Sequence, residues 1–397
     1  MKQVIVRKQT AIVKNRPLSK VASKIFRWPP DRFLVVAIVL LCAIGLFCLA
    51  SASSVVAYTR YGDTYFWLKK QLVWAIIGWV GFYLFSLIDY HKWQRSRGVL
   101  LILTFGLLLT LFTPLAQERS GAKAWLDIFG FSLQPAEFVK LSLVLYLSAL
   151  MAKFAVSSQR EEKKRLNWSF WIILALVSLL ILVQPDLGTL LIIATTSLVV
   201  YWLGGGSWKL IMRIVVVGFI GLLAFVFLRG GYQKDRFLCV LQPSYSPDKS
   251  CYQVNQSLIA IGSGGFFGRG LGESRQKYLY LPEVQNDFIF PVIAEELGWW
   301  FSILLIILYY AVFYRGYQLA KAAPDLYGQI LSGGIISGLM IQVLINLGGT
   351  INLLPMTGVP LPLVSYGGSS LMSCLFGLGI LANISRQARL ADNLPHL

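Results

Sequence analysis

Asp287 stands where an apolar run resumes, in Asn286-Asp287-Phe288-Ile289-Phe290, behind a glycine-rich and basic loop of about sixty residues (230–290). A carboxylate in that position is either the cap of the helix that follows or a general base. The second role requires burial among aromatic residues to bring its pKa into a useful range. Upstream, Gln134-Pro135-Ala136-Glu137-Phe138-Val139-Lys140 opens another apolar run. Pro135 suits the first turn of a helix, Glu137 suits its positive N-terminal dipole, and Lys140, three residues on, shares the face of Glu137. The pair is a capping acid with its lysine, or a cation held at membrane depth for a phosphate or sugar, with Glu137 orienting it. Gln184-Pro185-Asp186-Leu187-Gly188-Thr189 repeats the proline–acid pattern at a tight turn, where dipole stabilisation competes with a functional role.

The loop carries six glycines between Gly262 and Gly272, then Ser274-Arg275-Gln276-Lys277 and Tyr280-Leu281-Pro282-Glu283. No strand precedes the glycines and no Gly-Lys-Ser/Thr follows them, which argues against a nucleotide fingerprint. They can still present backbone N–H groups as an anion nest, with Arg269, Arg275 and Lys277 beside it. A pyrophosphate headgroup fits that chemistry; a flexible loop with solvated charges is the alternative. Glu295 and Glu296 lie two turns deeper and are expected to hold helices together through partners such as Lys140. Asn346 and the stretch Leu354-Pro355-Met356-Thr357-Gly358-Val359-Pro360-Leu361-Pro362-Leu363-Val364-Ser365-Tyr366-Gly367-Gly368 indicate irregular backbone. At membrane depth such backbone is tolerated as a packed re-entrant segment or as the wall of a cavity.

The elements that position these groups follow from composition. The chain has 397 residues, 56% hydrophobic and 14% charged, where a soluble domain carries about a quarter charged residues. Mean hydropathy is +0.65, and the apolar residues fall in blocks of membrane-spanning length. The fold class is therefore all-α and polytopic. Ten spans are expected, at about 33–55, 67–87, 98–115, 136–154, 168–184, 187–204, 208–229, 291–314, 326–349 and 364–385. Net charge is +18, but the basic residues cluster at the ends of apolar blocks, so topology and anionic lipid headgroups explain them before nucleic acid does. Lys92, Arg95, Arg97, Arg160, Lys163, Arg315, Lys321, Arg386 and Arg389 all fall on the side of the basic N-terminus. Both termini are thus expected to be cytoplasmic, with the long loop between the seventh and eighth spans outside.

Ala50-Ser51-Ala52 resembles a signal-peptidase site, yet the basic leader and apolar core are too long, and a retained first span is expected. One membrane domain over 33–386 follows, between a basic tail (1–32) and a short C-terminal tail (387–397). The two histidines, His91 and His396, lie on the cytoplasmic side, which disfavours a histidine metal site or base at the outer face. Cys42, Cys48 and Cys374 are packing residues of apolar helices, while Cys239 and Cys251 can form a disulfide if the loop meets an oxidising compartment.

Taken in order, Gln-Pro-x-Glu-Phe-x-Lys, Gln-Pro-Asp-Leu-Gly-Thr, Gln-Ser-Leu-Ile-Ala-Ile-Gly-Ser-Gly-Gly, Leu-Pro-Glu-x-x-x-Asp-Phe-Ile-Phe, Glu-Glu-Leu-Gly and Pro-Leu-Pro-x-Val-Ser-Tyr-Gly-Gly-Ser-Ser resemble the SEDS family (shape, elongation, division and sporulation). The likeness runs from about residue 33 to 386. It implies a ten-helix peptidoglycan glycosyltransferase that polymerises lipid II at the outer face of the bacterial cytoplasmic membrane. Asp287 matches the family's essential aspartate. Lys140, Glu137, Asp186, Gln256, Ser257 and Ser365 lie in the matching motifs as substrate-binding candidates, beside Arg269, Arg275 and Lys277. The resemblance also implies a class B penicillin-binding protein transpeptidase of the FtsI type as partner, with other division proteins. It implies no certain cofactor and leaves a divalent cation open. Lys277, Tyr280, Ser51-Ala52-Ser53 and the basic tail resemble the division type, at the septum, more than the elongation type, with an elongation- or sporulation-type polymerase as the alternative. Ala124 (beside Lys123) replaces a usual arginine, Gln285-Asn286 a commoner His-Thr, and Ala136 a common serine. Two rival readings remain: a lipid II flippase, which wants polar residues through the whole bilayer, and a noncatalytic scaffold for the transpeptidase.

Overall fold

The computed structural model describes residues 29–114, 116–119, 122–128, 131–229, 232–242 and 251–392. Most of the basic tail, His396 and part of the long loop lie outside the described residues. The ten expected spans are present as α1 (Arg32–Ala52), α3 (Phe66–Leu87), α5 (Arg97–Leu109), α6 (Pro135–Val156), α7 (Arg160–Val183), α8 (Leu187–Leu203), α9 (Trp208–Arg229), α12 (Ile289–Ala322), α13 (Leu326–Thr350) and α14 (Gly368–Asp392). Four short helices lie between them: α2 (Ser54–Tyr61), α4 (His91–Arg95), α10 (Tyr232–Leu241) and α11 (Tyr252–Ser263). Eight of the ten are long and apolar enough to cross a membrane; α5 with its following turn, and α8, are shorter apolar helices. The chain is a polytopic helical membrane protein.

Local chemistry sets the helix starts. Asp31, Asp186 and Asp325 cap α1, α8 and α13 by accepting from Leu34, Thr189 and Gly328 N–H, and Pro135 occupies the first turn of α6. Helix α14 is the most enclosed span, packed along α3 and against α6, α12 and α13. The backbones come close there: a Cβ on Gly379 would sit 2.6 Å from the Phe82 carbonyl. Ser51 Oγ donates to Glu296 Oε2 at 2.6 Å, so α1 is joined to α12 by a polar contact within the bundle.

At the end of the bundle holding the N-terminus, Asp31 binds Arg315 (2.6 Å) and Arg389 (2.8 Å), and His91 lies between Asp89 (2.8 Å) and Asp325 (2.7 Å). Gln387 also donates to Asp89. Through these ties α14 runs to Asp392, past the expected boundary at 386. Charged clusters therefore occupy both ends of the bundle, and not the loop end alone.

Two features depart from a purely helical reading. The 115–135 connection holds a three-stranded antiparallel sheet, β1 (Ala116–Arg119), β2 (Ala122–Ile128) and β3 (Phe131–Leu133), in the order β1-β2-β3. Its signal is the two-residue alternation of β2, with Ala124 and Leu126 buried and Asp127 exposed. Lys123 falls on β2, but its side chain lies outside the described residues. The second departure is in α12, which breaks at Gly298 (φ 79°, ψ −176°). The glycine-rich loop repairs the break. Arg269 and Gly270 N–H donate to the Glu295 and Glu296 carbonyls (2.9 and 3.0 Å), and Trp299 and Trp300 N–H donate to Gly265 and Phe266 (3.0 and 3.3 Å).

Candidate active site

Asp287 is half-buried in the turn that leads into α12. The N-cap position of α12 is Phe288, and no side chain caps it, so the Asp287 carboxylate is left for other work. Its backbone is fixed by α13: Asn346 Nδ2 donates to the Asp287 carbonyl (2.9 Å) and to that of Val359 (2.8 Å). Its side chain faces Gly358, where a Cβ would stand 3.4 Å from Oδ2. Gly358 has φ +75°, which suits glycine, and the missing side chain leaves room beside the carboxylate. Burial pushes the Asp287 pKa up to about 7; the Glu283 charge adds to the rise and Arg236 opposes it. Asn286 and Gln285, both departures from the usual family pattern, donate to Glu283 Oε2 at 2.6 and 3.2 Å. They hold that second carboxylate four residues before the first.

One helical turn along α13 from Asn346, Gln342 reaches a second group. Lys140 Nζ donates to Gln342 Oε1 (2.7 Å) and to Glu137 Oε1 (2.8 Å), while Gln342 Nε2 donates to the Pro360 carbonyl (3.0 Å). Residues four apart face the same way and lie about 6 Å apart along the axis. Gln342 and Asn346 thus clamp the 359–360 backbone between the Lys140 pair and Asp287. Glu137 Oε2 has no partner among the described residues, and the pair borders an apolar cavity between α6, α8, α13 and α14, with Thr196 and Gly338 in its wall. Asp186 stands nearby as the cap of α8, accepting from Thr189 N–H (3.0 Å) and Gln134 Nε2 (3.2 Å). Its pKa is raised by burial and by Glu137, against the pull of the Thr189 hydrogen bonds and Lys140.

With this geometry in hand, the family model described as cell cycle protein, for FtsW, RodA and SpoVE, matches residues 32–390. The chain belongs to the SEDS family. It is 40% identical to stage V sporulation protein E of Bacillus subtilis, over 91% of this chain and 98% of that protein. To the probable peptidoglycan glycosyltransferase FtsW of Bacillus subtilis it is 39% identical, over 91% and 92% of the two chains. Among solved structures it resembles a chain of a peptidoglycan synthase complex that coordinates polymerization and crosslinking (TM-score 0.70, 28% identity, covering 90% and 98%). It also resembles the rod shape determining protein RodA of Thermus thermophilus (TM-score 0.63, 28% identity, covering 90% and 97%).

In this SEDS protein the remaining predicted residues separate into groups. Lys277 is buried and pairs with Glu296 at 2.8 Å, with Ser51 Oγ at 3.3 Å. Its charge is paired with a carboxylate inside the bundle. Arg269 donates to the Ser263 carbonyl (3.2 Å) and stands 3.7 Å from Glu295. Arg275 is exposed and donates its backbone N–H to Glu295 (3.1 Å). Glu295 and Glu296 do hold elements together, through the loop and, for Glu296, through Ser51 of α1, and not through Lys140. Ser257 Oγ donates to the Thr350 carbonyl (2.7 Å) and Ser365 Oγ accepts from Leu361 N–H (2.9 Å), so both fix backbone. Gln256 is half-buried on α11.

Two of the loop glycines pack on α12: a Cβ on Gly264 would lie 2.0 Å from the Ala294 carbonyl, and one on Gly268 2.2 Å from that of Glu296. Those glycines permit close approach to α12. Glu283, Arg236, Gln342 and Gly358 were not singled out from the sequence. Only Glu283 carried a usable signal, an acid four residues before Asp287. Cys239 and Cys251 are joined as a disulfide.

Proposed function

We propose that this SEDS protein polymerises lipid II into glycan strands at the outer face of the bacterial cytoplasmic membrane. The observation that carries the reading is Asp287, half-buried with a pKa near 7 and linked through Asn346 and Gln342, one turn apart on α13, to the Lys140–Glu137 pair. A carboxyl so placed can accept a proton at neutral pH. The GlcNAc 4-hydroxyl of the acceptor gives its proton to Asp287 as its oxygen attacks the anomeric carbon of the donor MurNAc. The bond from that carbon to the undecaprenyl pyrophosphate oxygen breaks, and its electron pair leaves with the pyrophosphate. Lys140, its amine held by Glu137 and Gln342, is the cation we assign to offset that charge. A single inverting displacement of this kind needs one base.

The outward orientation of the long loop is supported by its disulfide, which belongs to an oxidising compartment. A class B penicillin-binding protein partner is supported by the likeness to a chain of a synthase complex. Septal synthesis in division is the role we assign, supported by the FtsW relatives. The 40% identity to a stage V sporulation protein favours a second reading, synthesis during sporulation. A deletion strain that fails to divide in growth supports the first, and one that divides but forms defective spores supports the second.

The direct test is purified protein, with and without a class B transpeptidase, given lipid II and read on a gel for glycan. Asp287→Asn should lower polymer formation by at least about a hundredfold while the protein remains folded. Normal polymer from the folded variant would sink the assignment. Movement of lipid II between leaflets without polymer would favour a flippase.

A further inference from the structure

Helix α10 brings a cation to the 352–356 segment, just before the glycine that faces the Asp287 carboxylate. Arg236 Nη1 donates to the Met356 carbonyl at 2.7 Å, and the Cys239 carbonyl accepts from Asn352 Nδ2 at 3.1 Å. Residues three apart share a helix face. That face of α10 therefore lies on the 352–356 segment, which leads two residues later to Gly358, opposite Asp287 Oδ2. Cys239 is bonded to Cys251, the residue before α11, and α11 is tied to the end of α13 by Ser257 on Thr350. The disulfide thus closes a ring of contacts: α10, the 352–356 segment, the end of α13, α11, and α10 again. Among the described residues, the charged groups acting on Asp287 are Glu283 from its own turn and Arg236 from this ring. The other groups fixing it, Asn346 from α13 and Gly358, are uncharged.

We propose that Arg236 is a positioning residue of the glycosyl transfer, held against the Asp287 carboxylate by a disulfide-clasped helix, and that opening the Cys239–Cys251 bond loosens that hold. The inference rests on the reading of Asp287 as the base. A half-buried carboxylate beside Glu283 tends to keep its proton, and a protonated Asp287 cannot take one from the acceptor hydroxyl. A guanidinium stays charged at every working pH, so a fixed arginine is suited to offset Glu283. Reduction of the bond by dithiothreitol carries two electrons and two protons to the cysteine sulfurs, and the reagent closes to its own disulfide.

The experiment uses the full chain in lipid nanodiscs and reads two things across pH 5 to 9. One is modification of Asp287 by a hydrophobic carbodiimide, which attacks protonated carboxyls, followed by peptide mass spectrometry. The other is polymer formed from lipid II. The labelling midpoint of the unaltered protein should lie near 7. Arg236→Gln should move it upward by about half to one pH unit and lower polymer at pH 7 by roughly three- to tenfold. Arg236→Lys should keep the midpoint near its original place. Dithiothreitol should move it upward in the unaltered protein, and Cys239→Ser with Cys251→Ser should reproduce the shift and abolish the response to reductant. An unmoved midpoint in Arg236→Gln overturns the role of the arginine. A midpoint that moves in Arg236→Gln but ignores both reductant and the serine pair overturns the latch. If the midpoints behave as expected while the unaltered protein makes no polymer, the glycosyltransferase reading fails and the coupling of Arg236 to Asp287 stands.

Discussion

Asp186 and Asp287 both precede a spanning helix by a residue or two, and their surroundings give them different work. The Asp186 carboxylate bonds to Thr189 N–H and to Gln134, a cap with a side-chain neighbour. Asp287 leaves its helix uncapped and faces Gly358 and Glu283. The pH dependence follows from the second environment. A base is active only when ionised, so polymerisation should fall as pH drops through about 7, the value to which burial and Glu283 bring Asp287. Glu283→Gln removes the second of those causes and should carry the acid limb to lower pH, with relatively more polymer at pH 6. Rates measured from pH 5 to 9 on the two proteins check this. An acid limb that stays in place in Glu283→Gln contradicts the assigned electrostatics.

Among the elements, α12 shows how a loop becomes part of a span. Its break at Gly298 frees helix carbonyls and N–H groups at membrane depth, and the 265–270 backbone takes them up. Just beyond, Lys277 from the same loop lies beside Glu296, with the two side chains only 3% exposed. Removing one partner of such a pair leaves a buried charge. Lys277→Met should therefore destabilise the protein by about 3–5 kcal/mol, whereas Lys277→Met with Glu296→Leu should recover most of that loss. Thermal unfolding in detergent distinguishes the outcomes, and equal losses in the single and double variants would show that the ion pair is not the source. The spans themselves were legible because apolar length is a strong signal. The break was not, because a lone glycine in an apolar run interrupts a helix only when another segment supplies hydrogen bonds, and that segment lies some thirty residues away. The Lys277–Glu296 pair was hidden for a related reason. Lys140 was the partner expected for Glu296, but it pairs with Glu137 on its own helix and with Gln342 of α13.

Across the whole molecule, the site depends on ten helices keeping their places, and charged clasps at the end opposite Asp287 contribute to that. The motif residues at the loop end were legible from their order in the chain. The clasps were not, since Asp31, the Asp89–His91 pair and Asp325 sit in three separate connections whose meeting depends on helix packing. His91 joins α4 to the start of α13, and despite burial its bonds to Asp325 and Asp89 raise its pKa to about 9. Its charged form is therefore favoured by folding. That contribution, about 2–3 kcal/mol at most, is full below pH 6.5 and is lost as pH rises through 9. Asp89 has the opposite sign: its folded pKa is lowered to about 2, so its share is present above the ordinary value of 3.8 and is lost on acidification toward 2. Between these limits the clasp is strongest near pH 4 to 6.5. His91→Gln keeps a polar side chain but no charge, so it should lower thermal stability at pH 6 and converge with the unaltered protein near pH 10. Melting curves of the two proteins across that range test the clasp apart from the chemistry, because His91 lies at the far end of the bundle from Asp287. A stability gap that persists unchanged to pH 10 would assign His91 a packing role in place of an electrostatic one.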